Sequence, residues 1–68
     1  LIQNIELLIA INNFEKSIKI NPQKSNYHSN LGLSLFKIGK YESSVKAYEK
    51  ALKLDPLEAE CWNTLGHI

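Results

Sequence analysis

The sequence predicts an all-α fold of paired helices joined by short turns, on three observations. Apolar residues recur at helical spacing, no window alternates in the manner of a strand, and the second half of the chain repeats the first. A shift of thirty-four residues superposes Glu15 on Glu49, Lys16 on Lys50, Lys19 on Lys53, Pro22 on Pro56, Leu31 on Leu65 and Gly32 on Gly66. Between these identities the residue type persists: Ile11 falls on Val45, Phe14 on Tyr48, Ile18 on Leu52, Ile20 on Leu54, Asn21 on Asp55 and His28 on Trp62.

Taken in order, a first helix is expected over about Gln3–Ile20. Its apolar opening has no basic leader segment, contains Gln3, Asn4 and Glu6, and falls short of the roughly 20 apolar residues a membrane span needs. A second helix carries the stripe Leu31, Leu35, Ile38, and a third carries Tyr41, Val45, Tyr48, Leu52. Gly39 can supply the permissive turn between them. Pro56 cannot continue a helix interior, so it closes the third helix, with Asp55 placed to cap the next helix and Asn21 and Pro22 arranged likewise upstream. A further helix is expected from about Ala59. The chain opens on Leu1 and breaks off after Gly66-His67-Ile68, so a longer array is expected around it.

Composition narrows the function. Hydrophobic residues make up 44% of the 68, as in ordinary folded proteins. The net charge is +1, and every basic residue is lysine, so neither the strong field nor the bidentate arginine chemistry of nucleic-acid binders is present. A single cysteine, Cys61, cannot form an internal disulfide, which favours a reducing, intracellular compartment. His28, His67 and Cys61 share no compact ligand spacing, so no metal site is expected, and no cofactor motif is present. Nucleophilic catalysis at Cys61 or a serine would need a positioned base and a water-excluding pocket, and nothing here supplies them. The recurring lysines Lys16, Lys19, Lys50 and Lys53, with Glu15 and Glu49 among them, read as a solvated outer face.

The segment Ser25–Glu58 resembles one complete tetratricopeptide repeat. Leu31-Gly32 stands in its first helix, Gly39-Lys40-Tyr41 at its turn, Tyr48 and Ala51 in its second helix, and Pro56 at its close. Residues 1–22 then resemble the second helix of a preceding repeat, and residues 59–68, with Trp62, Leu65 and Gly66, the first helix of a following one. The chain departs from the family pattern at His28, where tryptophan is favoured, at Leu35, where tyrosine is favoured, and at Ser44, where alanine is favoured.

The resemblance implies antiparallel helix-turn-helix units stacked as a right-handed α-solenoid, with Phe14, Leu31, Gly32, Tyr41, Tyr48, Ala51, Pro56, Trp62, Leu65 and Gly66 in the packing. It implies a protein–protein interaction scaffold, not an enzyme: a concave groove, lined by first helices, that holds a peptide or partner helix. Carried onto this sequence, the groove positions are Asn26, Ser29, Asn30, Leu33 and Lys37, then Glu60, Asn63, Thr64 and His67. Asn30 stands out because an amide both donates to and accepts from a peptide backbone. The lysine–asparagine–arginine clamp with which some members grip a chaperone's terminal carboxylate fits poorly, since Glu60 and Thr64 stand where basic residues belong. Nucleic acid, membrane and small-molecule partners are not expected. One alternative is self-association, because repeats need neighbours to cover their apolar faces and the ends, Leu1, Ile2, Ile5 and Leu8 against Trp62, Leu65 and Ile68, are uncovered. The other, which the resemblance implies, is a substrate-recruiting repeat region of a larger enzyme or chaperone adaptor.

Overall fold

The computed structural model describes residues 2–57 of the chain, with the side chains of residues 4–57. Three α-helices occupy the described residues: α1 (Ile2–Ile20), α2 (Ser25–Lys37) and α3 (Tyr41–Leu54). No strand occurs among them. Helix α2 is the middle member and packs on both neighbours, whereas α1 and α3 do not touch. The short connections make consecutive helices antiparallel, and the principal extents of 34 × 30 × 16 Å are those of a slab little more than one helix thick.

The repeat holds at the level of single hydrogen bonds. The Asn21 N–H donates to the Ser17 carbonyl at 2.9 Å and closes α1, and its counterpart thirty-four residues on, the Asp55 N–H, donates to the Ala51 carbonyl at 2.8 Å and closes α3. Asn21 therefore does not cap α2, as the sequence suggests it should. The residue before α2 is Lys24, which offers no side-chain cap, and α2 opens with the Tyr27 N–H on the Lys24 carbonyl at 3.2 Å. Asp55 does turn forward: its Oδ1 accepts from the Leu57 N–H at 3.1 Å, an Asx turn.

Between α2 and α3 the chain turns through Gly39 at φ +88°, a left-handed conformation that costs a side-chain-bearing residue about 1–2 kcal/mol. The Gly39 N–H donates to the Phe36 carbonyl at 3.0 Å and the Lys40 N–H to the Leu35 carbonyl at 2.9 Å. That pair of bonds is a Schellman closure, which satisfies two of the carbonyls a helix end leaves orphaned. Across the turn the Phe36 and Tyr41 rings meet edge to face, centroids 5.3 Å apart at 63°. Tyr41 is otherwise 52% exposed, so this ring pair, not burial, is its contribution to packing.

The α2–α3 seam is built on small residues around one large one. Tyr48, Ala51 and Ser44 are wholly buried, with Leu33 and Leu52 packed on the cluster. A Cβ placed on Gly32 would meet Cδ1, Cδ2 and Cε1 of Tyr48 at 3.1 Å. Glycine at 32 thus makes room for the Tyr48 ring. Ser44 then crosses the seam: its Oγ donates to the Gly32 carbonyl at 2.7 Å. The hydroxyl at a position that favours alanine is an interhelical bond. On the other side of α2, Ile11 of α1 is buried, while Phe14 and Leu31 are half-buried. Pro56 is exposed and serves as a helix stop. The packing residues Trp62, Leu65 and Gly66 lie outside the described residues.

Candidate functional site

Helix α2 is covered on two sides, by α1 and by α3, and one side of it stays open. His28, Ser29, Gly32 and Ser34 of this helix are buried. At about 100° per residue, Asn26, Asn30 and Lys37 fall within an arc of roughly 40° on the side away from Gly32 and His28. Asn26 and Lys37 are exposed and Asn30 is half-exposed. The helix therefore presents two amides and one ammonium along a line of about 16 Å at 1.5 Å per residue.

The remaining sequence-derived positions divide. Leu33 is half-buried and packs on the Tyr48–Ala51 cluster, so it borders the open side from the α3 edge. Ser29 is only 2% exposed, and its Oγ donates to the Asn26 carbonyl at 3.0 Å. It belongs to the seam, because a residue three positions from Asn26 and from Gly32 lands between the open side and α3. Glu60, Asn63, Thr64 and His67 lie outside the described residues.

His28, expected only to fill a tryptophan position, is 7% exposed, and its Nε2 lies 3.0 Å from the Pro22 carbonyl. A carbonyl can only accept, so this nitrogen carries the proton. The bond ties the α1–α2 connection to α2 and fixes how the open side sits beside α1. Nothing in the spacing of residues 22 and 28 signals such a bond, whereas the Ser44 hydroxyl had at least its polarity at a buried repeat position to betray it. Among the described residues no group of three or more His, Cys, Asp or Glu side chains is placed to hold a metal ion. The described helices include none long and apolar enough to cross a membrane. The open side of α2 offers two amides and one ammonium as hydrogen-bonding and charged groups.

Comparison with known proteins agrees with this geometry. The family model described as tetratricopeptide repeat matches residues 25–56, which span α2, its glycine turn and α3. The chain is 38% identical over 58 residues, 85% of its length, to the small glutamine-rich tetratricopeptide repeat-containing protein 2 of Mycosarcoma maydis, and covers 16% of that protein. It is 43% identical over 42 residues, 62% of its length, to the protein O-mannosyl-transferase TMTC4 of Mus musculus, and covers 6% of it. The chain thus spans a small part of both relatives, and no solved structure matches it. Through the repeat formed by α2 and α3, the chain belongs to the tetratricopeptide repeat family of protein-interaction modules.

Proposed function

We propose that the open side of α2 holds a segment of another protein, with Asn30 as the central contact and Asn26 and Lys37 to either side. The observation that carries this reading is the division of α2 itself. Two of its sides are consumed by packing on α1 and α3, and the third keeps three polar side chains at the surface. An amide at Asn30 can bond the N–H and C=O of an extended peptide together, which gives affinity with little dependence on the peptide's sequence. Lys37 adds a preference for a carboxylate near that end of the helix.

In this reading α1 is the second helix of a preceding repeat, residues 59–68 begin the next one, and the groove continues through Glu60, Asn63, Thr64 and His67. The segment carries no chemistry of its own, and the catalysis of any longer parent, such as the transferase relative performs, lies outside it. An intracellular, reducing setting suits the lone cysteine.

The test is site-specific photo-crosslinking in the cell of origin, with the crosslinker at position 30 and, separately, at Lys50 on α3. A partner captured from position 30 and not from 50, whose binding falls about tenfold (roughly 1.4 kcal/mol) with Asn30→Ala at unchanged helicity, supports the groove. Equal capture from both positions would sink it.

A further inference from the structure

We propose that the outer side of α1 is a second docking surface, separate from the open side of α2, and that its partner is an acidic amphipathic helix. Ile5, Leu8 and Ile9 are 57%, 52% and 56% exposed. Their spacing of three and four residues makes them one patch on the helix. At about 100° per residue, Lys16 and Lys19 fall on the same arc, two to three turns further along α1. Both lysines are exposed, and neither has an ion-pair partner among the described residues. Glu6 and Glu15 lie at the two margins of this side.

The patch is not an ordinary stacking seam left bare. In the complete pair, α3 meets α2 through Ser44, Ala47, Tyr48 and Ala51. The counterparts of these residues on α1 are Ala10, Asn13, Phe14 and Ser17. A helix stacked on α1 as α2 is on α3 would cover that set. The counterparts of Ile5, Leu8 and Ile9 are Gly39, Glu42 and Ser43, all exposed with the pair intact. Stacking in the manner of this repeat therefore leaves Leu8 and Ile9 in water. Moreover, α1 runs unbroken through the positions where α2 turns into α3.

Charge selects the occupant. A helix with apolar residues at one end of a face and carboxylates at the other fills the Ile5–Leu8–Ile9 patch and neutralises Lys16 and Lys19 together. A second copy fits less well. Paired parallel it sets these lysines against their own kind, and paired antiparallel it brings no carboxylate onto the facing stripe. Three aliphatic residues are far short of the roughly 800 Å² per partner of a standard interface, so the association is weak and fast.

The experiment uses the 68-residue chain and a labelled synthetic helical peptide with leucines at i, i+3, i+4 and i+7, followed by glutamates on the same face, read by fluorescence anisotropy. Binding is expected at a Kd on the order of 10–100 µM. It should weaken about tenfold or more with Leu8→Gln combined with Ile9→Gln, and with Lys16→Glu combined with Lys19→Glu, and it should fall as salt is raised. A peptide with lysines in place of the glutamates should bind the charge-reversed chain, which separates recognition from damage to the fold. Asn30→Ala should leave the affinity unchanged. No binding below about 1 mM overturns the proposal, as does equal loss with Asn30→Ala. So does a chain whose own mass, by sedimentation equilibrium, rises with concentration in a manner abolished by Leu8→Gln, since the second copy is then the occupant.

Discussion

Helices α1 and α3 correspond in sequence at a shift of thirty-four residues, and they contrast most on the outer side. Toward their neighbours they agree: Ile11 and Val45, Phe14 and Tyr48, Ile18 and Leu52 occupy matching positions, and the same backbone bond ends both helices. On the outer side α3 carries Glu42 and Ser43 where α1 carries Leu8 and Ile9, and the Gly39 turn has become Ile5 inside a continuous helix. Packing constrains the inner sides because each residue there must fit its neighbour, whereas the outer side is free to diverge and so can record a separate use.

The largest expected difference between the two helices lies at their aromatic pair. Tyr48 is wholly buried against Gly32, so Tyr48→Ala should cost about 3–5 kcal/mol, enough to unfold a chain this small. Phe14 is half-buried, and Phe14→Ala should cost less than half as much. Urea titrations followed by circular dichroism decide it, and equal losses would mean that α1 is covered where it stands open here.

Gly32→Leu comes next. The Tyr48 ring, 3.1 Å from a bare Cβ, cannot also admit an isobutyl group, and a loss of about 1–3 kcal/mol is expected in the same titration. Gly39→Ala should cost about 1–2 kcal/mol for a different reason, the positive φ, since nothing lies within 4 Å of the added methyl. Combining the two should give nearly additive losses if these causes are independent; a marked departure would show that the turn and the seam adjust together.

The fold was legible because the repeat writes its inner side twice: Gly32, Tyr48, Ala51 and Pro56 each occupy positions whose physical demand a sequence can display. Of the candidate groove positions that the family resemblance implies, Asn26 and Lys37 are exposed and Asn30 half-exposed, whereas Ser29 is buried, since serine is small enough to be buried and bonds its own helix. The role of His28 was hidden for another reason, because it depends on a carbonyl that no side-chain pattern announces, whereas Ser44 was signalled only by its polarity at a position that favours alanine. The apolar outer side of α1 was visible as letters, and only the exposure of its α3 counterparts distinguishes it from a bare seam.

Ser44→Ala is expected to have a smaller effect still, and it separates the bond from the packing. The substitution restores the small side chain the position favours and removes only the 2.7 Å bond to the Gly32 carbonyl. No buried donor is stranded, because the hydroxyl leaves with its own proton, and the carbonyl, inside α2, remains an acceptor for its helix. A cost of about 0.5–1.5 kcal/mol is expected from the net worth of a typical intramolecular hydrogen bond. The counterpart on α1 is already alanine, Ala10, so a stacking helix there would lack this bond, and Ala10→Ser in the 68-residue chain should change stability by less than about 0.5 kcal/mol. Denaturant midpoints of the two single variants decide the matter. If Ala10→Ser moves the midpoint as far as Ser44→Ala does, position 10 is not the open counterpart of position 44, and the comparison between the two helices fails at its inner side.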